Sequence, residues 1–317
     1  MLRFLRSGLA ISSRSLPREL LFWPYALILK YLKILIKSLD AELWLRNSLR
    51  LNYWEFAQSD IDLSIWVSGG PREALRAWEV FKTKRSILLG GEVQIYASTW
   101  VAKMLPYANQ WEVSRDPDLL VRSQFVPSMS GEIEKLVFLV KMLSSDKELW
   151  ISPSARQKKW HYHFEKLGIQ TEPMITGDVV CRLIYERFDF LELDYATFKD
   201  YFRSPRSVPT LPTEAIDLDR LLNPNRYCWF AEATEQDVIF LEKFGTRGHQ
   251  YLAAMISWEI WGLFPLTQVT QGLTPLQLEG HLVNQRRLLD HLVVPTEKLG
   301  EGLELLQSFY AEINGQY

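Results

Sequence analysis

Residues 60–67, DIDLSIWV, constrain the fold more than any other stretch of the chain. Ile61, Leu63, Ile65 and Val67 alternate with Asp60, Asp62, Ser64 and Trp66, a period of two that predicts a β-strand. Side chains alternate across a strand, so the aliphatic set shares one face and Asp60, Asp62 and Ser64 share the other. Two ionised carboxylates a few ångströms apart repel each other and lose hydration when buried. A divalent cation between them removes that cost. Paired hard oxygens suit Mg²⁺, which completes its octahedron with water and substrate phosphates, so the pattern predicts a metal-bound phosphate.

Around this strand the chain reads helix, strand, loop, strand, helix, strand. Ser15 is a candidate N-cap for a helix over about 17–38, with Pro17 in its first turn and Glu19 near the positive end of its dipole. AELWLRN (41–47) is a candidate strand, and SGGP (68–71) breaks the chain. REALRAWEVFKTK (72–84) predicts a helix burying Leu75, Trp78 and Phe81, and GGEVQIYAS (90–98) returns as a third strand. From about residue 100 the pattern turns helical, over 130–143, 234–244, 250–264, 274–293 and 301–313. Residues 179–195 are ambiguous between helix and strand, and 204–219 form a proline-rich connection. With 47% apolar residues the chain has ample material for a packed core.

The third strand places Glu92, Gln94 and Tyr96 on one face and Val93, Ile95 and Ala97 on the other. Paired beside 60–67, it offers Glu92 as a third carboxylate, and Gln94 competes for the same place. Three carboxylates can hold two Mg²⁺ ions, one carrying a triphosphate and one lowering the pKa of an attacking hydroxyl.

Asn47 and Ser48, a loop of eleven residues (49–59) ending in Ser59, then DIDLSI, a helix and EVQIY together resemble the minimal core of the DNA polymerase β-like nucleotidyltransferase superfamily. That family's signature is a Gly-Ser turn, an Asp-x-Asp about a dozen residues later, and a third acid on a following strand. Its small members append a helical domain that closes over the nucleotide. The resemblance covers roughly residues 40–98. It implies that Asp60 and Asp62 bind the metal, that Glu92 is the third catalytic and metal-binding acid, and that Ser48 touches the triphosphate. Asn47, Arg50 and Ser59 would line the same phosphate site. Two positions depart from the pattern: the family's glycine is Asn47 here, and the acid position falls on either Glu92 or Gln94. Tyr53 and Trp54, in the loop, stack on a base or sugar in one reading and anchor the loop on the core in the other.

The formal charge of −2 gives no global basic field, so long nucleic acid is not favoured as a partner. The first 50 residues are nonetheless basic, with nine Lys and Arg against three Asp and Glu, a net of +6. Cys181 and Cys228 fit buried free thiols in a reducing compartment. The apolar run LLFWPYALILKYLKILI is interrupted by Lys30 and Lys33, and reads as an amphipathic helix and not a membrane span. The opening MLRFLRSGLAISSRSLPR is rich in Arg and Ser without an acid, the composition of a transit segment, although a cytoplasmic location is the main expectation. His161 and His163 in HYH share a strand face but lack further ligands at metal spacing. GTRGHQ (245–250) reads as an interhelical turn. Lys135 and Lys141 are candidates to reach a triphosphate from a helix, and His281 and His291 read as surface residues.

These readings combine into an α+β chain: a small mixed-sheet nucleotidyltransferase core with an N-terminal helix over 1–125, followed by a mainly helical domain over 126–317. The expected activity is Mg²⁺- or Mn²⁺-dependent transfer of a nucleoside monophosphate from a nucleoside triphosphate to an acceptor, releasing pyrophosphate. The acceptor expected is a small molecule, a nucleotide or a protein. A catalytically degenerate version of the same fold, acting as a nucleotide-binding or protein-interaction module, is the alternative.

Overall fold

The computed structural model describes residues 16–46, 49, 54, 56, 59–88, 91–107, 131–149, 157, 160–161, 163–164, 167–171, 173–187, 193–203, 238–239, 242–264 and 275–315. Within them the protein is a mixed α+β structure with a small three-stranded sheet. It divides into two compact units. The first comprises 1–127, 258–279 and 301–317, and the second comprises 128–257 and 280–300. Segments 258–279 and 301–317, which a linear reading groups with the helical half, thus belong with the sheet.

The first unit opens with α1 (Arg18–Lys37). Pro17 occupies the N-cap position, where its missing N–H costs nothing and its carbonyl accepts from Leu20 and Leu21 at 3.1 and 3.2 Å. The expected cap, Ser15, lies outside the described residues. A turn through Asp40, which holds a left-handed φ of 45° that Asp tolerates better than most residues, leads into β1 (Ala41–Leu45). β2 (Leu63–Val67) pairs antiparallel with β1, and β3 (Val93–Ala97) pairs parallel with β2, giving the order β1-β2-β3. The Ser68 N–H and hydroxyl both donate to the Asp40 carbonyl, at 3.1 and 2.9 Å, and tie the end of β2 to the start of β1.

A parallel neighbour needs a crossover, and α2 (Pro71–Lys82) supplies it. Pro71 sits at its first position, and the Glu73 carboxylate reaches back to accept the Gly70 N–H at 2.9 Å. Its core-facing residues are Ala74, Ala77, Trp78 and Phe81, while the expected Leu75 is only half-buried. α2 packs on β2 and β3. β3 runs directly into α3 (Ser98–Met104), whose Trp100 indole N–H donates to Glu312 at 3.1 Å. The returning C-terminal segments add Phe264 and Phe309, with Phe264 centred 6.2 Å from Tyr96 and 5.2 Å from Phe309.

The second unit is helical. It holds α4 (Glu132–Leu149), α5 (Gly177–Arg187), α6 (Tyr195–Arg203) and parts of α7 (Gly245–Leu263), α8 (Pro275–Asp290) and α9 (Glu297–Ile313). α5 makes 179–187 of the ambiguous stretch helical, while 188–192 lie outside the described residues, and it packs on α4 and α6, with Val180, Cys181 and Ile184 buried. GTRGHQ is not a turn: residues 245–250 form the first turns of α7, with Gly245 at φ 57° and His249 buried. Residues 204–219 lie outside the described residues, as does most of 234–244.

Candidate functional site

The strand pairing extends one rung beyond β2 toward the N-terminus. The Arg46 N–H donates to the Asp62 carbonyl at 2.9 Å, and the Leu63 N–H donates to the Glu92 carbonyl at 2.8 Å. Continuing the register of Leu45, Leu63 and Val93 puts Arg46, Asp62 and Glu92 on one rung, and cross-strand neighbours share a face. The next rung is Trp44, Ser64 and Gln94, and the one after it is Glu42, Trp66 and Tyr96. On β2 and β3 this face therefore runs from acidic (Asp62, Glu92) through polar (Ser64, Gln94) to aromatic (Trp66, Tyr96).

Asp62 is fixed by the backbone beside it: its Oδ1 accepts the Glu92 N–H at 3.0 Å. The Arg46 guanidinium is 2% exposed, and its Nη1 lies 3.8 Å from Oε2 of the half-exposed Glu92. Strands are about 4.8 Å apart, so this ion pair spans the middle strand at the level of Asp62. A buried guanidinium beside a carboxylate offsets part of the repulsion between neighbouring acids.

Asp60 precedes Asp62 by two residues, and both are half-buried on either side of the fully buried Ile61. The alternation read from the sequence thus continues ahead of the strand proper. The Ile61 N–H donates to the Leu88 carbonyl at 3.1 Å. Gly91 approaches so closely that a Cβ there would collide with the Ile61 carbonyl oxygen. Only glycine lets the segment entering β3 lie against the two acids at this distance.

Between the two contenders on β3, Glu92 occupies the rung of Asp62. Gln94 is buried one rung deeper, where its Oε1 accepts the Tyr96 hydroxyl at 2.5 Å. Ser59 lies immediately before Asp60, and its carbonyl accepts the Tyr25 hydroxyl of α1 at 3.1 Å. Asn47, Ser48 and Arg50 lie outside the described residues, as does Tyr53. Trp54 is buried against α1, with ring centroids 5.3 Å from Phe22 and 5.7 Å from Tyr25, and the Arg18 guanidinium lies 4.9 Å over its ring. Trp54 itself thus packs on the core.

Among the described residues no group of three or more His, Cys, Asp or Glu side chains is arranged to share a metal ion. The donor chemistry of Asp60 and Asp62 nevertheless fits a Mg²⁺ ion that arrives with its own phosphate oxygens, because such ions use one or two carboxylates of the protein. Two residues of this site escape a motif search. Extending the alternation of Glu42 and Trp44 by one step finds Arg46, and the double glycine before Glu92 marks Gly91.

The remaining sequence candidates have local roles. His161 and His163 lie on helical backbone, where residues two apart do not share a face. The His161 ring contacts the Pro173 carbonyl at 2.9 Å and the Thr171 hydroxyl at 3.3 Å, while His163 is buried edge-on to Phe138. Lys135 pairs with Glu132 at 2.9 Å, and the Lys141 side chain lies outside the described residues. His291 is exposed, but His281 is not a surface residue: it is buried in α8, and that burial lowers its pKa. Among the described residues no helix is long and apolar enough to cross a membrane. Compared with models of known protein families, with curated proteins and with solved structures, the chain matches none.

Proposed function

We propose that the chain is a metal-dependent nucleotidyltransferase of the DNA polymerase β-like kind, acting on a nucleoside triphosphate and an acceptor hydroxyl. The observation that carries this reading is the rung on which Glu92 stands beside Asp62, two residues after Asp60, at the end of the sheet where β1 leads into Asn47 and Ser48. The order of helix, strand, returning strand with the acids, helix and parallel strand also supports it.

In this reading Asp60 and Asp62 hold the metal, and the Glu92 N–H keeps the Asp62 carboxylate oriented. The metal, Mg²⁺ or Mn²⁺, supplies charge neutralisation for the triphosphate and acidifies the acceptor hydroxyl. Glu92 is the remaining acid within reach, as third ligand or as acceptor of the hydroxyl proton, and Arg46 positions it. Ser48 cradles the triphosphate with its hydroxyl and N–H, and Asn47, Arg50 and Ser59 line the same side. The acceptor oxygen forms a bond to the α-phosphorus, the bond from that phosphorus to the bridging oxygen breaks, and pyrophosphate leaves.

A second reading is favoured by one observation. Glu92 is engaged by a buried Arg46, and the next residue on its face is Gln94, which carries no charge. A nucleotide-binding module without turnover fits that arrangement. Incubating the full chain with each α-³²P nucleoside triphosphate, Mg²⁺ or Mn²⁺ and cell extract separates the two. Transfer of label that is lost in the Asp60→Asn/Asp62→Asn variant is the expected result. Metal-dependent binding without transfer establishes the module, and neither binding nor transfer by the wild type overturns both.

A further inference from the structure

α1 is apolar on two opposite sides. Tyr25, Leu32 and Ile36 are buried against the first unit. At 3.6 residues per turn, Leu20, Trp23, Leu27, Tyr31 and Ile34 fall within an arc of roughly 80° on the other side, and this arc extends along most of the helix. All five are between 41% and 64% exposed, and Leu16, just before the helix, continues the line. A helix ordinarily buries its apolar sides, and among the described residues the outer apolar side of α1 stays exposed.

The charges beside this stripe identify what covers it. Lys30, Lys33 and Lys37 are exposed and lie together on one flank, and Glu19 is the only acid on the helix. The 17 residues before it add Arg3, Arg6 and Arg14 and no acid. An anionic surface complements these charges. The stripe is also the convex outside of a helix and carries a Trp and a Tyr, side chains that settle at the boundary between lipid headgroups and acyl chains.

We propose that α1 is a membrane-surface anchor that lies in the plane of an anionic bilayer, with the Leu20 to Ile34 stripe inserted and Lys30, Lys33 and Lys37 at the headgroups. The site at Asp60, Asp62 and Glu92 would then work next to a lipid surface, whatever its chemistry. This inference does not depend on nucleotidyl transfer.

Flotation of the full chain with phosphatidylcholine vesicles, with and without phosphatidylglycerol, tests it. The expected result is binding to the anionic vesicles that weakens with salt, since juxtamembrane lysines act within a Debye length. Binding should fall about tenfold or more in Leu20→Glu/Leu27→Glu/Ile34→Glu, and comparably in Lys30→Glu/Lys33→Glu/Lys37→Glu. All these side chains are exposed, so thermal melts should match the wild type. Failure of the folded wild type to bind anionic vesicles overturns the proposal. So does sedimentation showing that the stripe variant abolishes a dimer, or binding of an acidic peptide that survives where vesicles do not bind.

Discussion

The two faces of the sheet differ both in burial and in chemistry. On one, Ile61, Leu63, Ile65, Val67, Val93, Ile95 and Ala97 are at most 1% exposed, and the packing of α2 matches them with Ala74, Ala77, Trp78 and Phe81. On the other, Arg46, Ser64 and Gln94 are buried as polar groups, with Asp60, Asp62 and Glu92 half-buried at one end. Burying hydrocarbon stabilises in proportion to its area, at about 25 cal/mol per Å². Burying polar groups costs unless each finds a partner, and the partnered groups return only about 1 kcal/mol apiece. The first face therefore holds the fold together, while the second maintains an arrangement that stability alone does not call for.

The sharpest way to break this contrast is Phe81→Ala on the aliphatic side, which should cost about 3–5 kcal/mol in denaturant unfolding through the cavity it leaves. A loss under about 1 kcal/mol would mean that this face is not the principal core. Gly91→Ala comes next, at about 3 kcal/mol, because its Cβ meets the Ile61 carbonyl. It should also weaken metal-dependent nucleotide binding in equilibrium dialysis, having displaced Glu92 from Asp62. Unchanged stability and binding would show that the close approach is dispensable.

Arg46→Met tests the polar face directly. It should destabilise by about 1–3 kcal/mol, since Glu92 loses the cation beside it. The smallest effect is expected at Tyr96 and Gln94. Tyr96→Phe should cost about 0.5–1.5 kcal/mol, and adding Gln94→Leu should recover part of that, because both members of the hydrogen bond are then apolar. Strict additivity of the two losses in the double-mutant cycle would mean that the hydrogen bond couples nothing.

The sequence by itself determined the period-two strand, the placement of Asp60 and Asp62 together on the face opposite Ile61, the helix behind SGGP and the strand after the double glycine. These features are local: each is written within a few residues, by an alternation, a cap or a breaker. It left both Glu92 and Gln94 as candidates for the third-acid position, with Gln94 the better centred between hydrophobics and both on the same face of one strand. Register puts Glu92 on the rung of Asp62 and Gln94 on that of Ser64, and register follows from which N–H of β2 meets which carbonyl of β3, some thirty residues away. Arg46 was legible only as one charge among nine, and became part of the site when β1 paired across Asp62. The return of 258–279 and 301–317 to the sheet likewise belongs to tertiary structure. A helical period says that a face must be buried but not against what, and only packing across more than a hundred residues of chain chose Tyr96 and Trp100 as the surfaces that Phe264 and Phe309 cover.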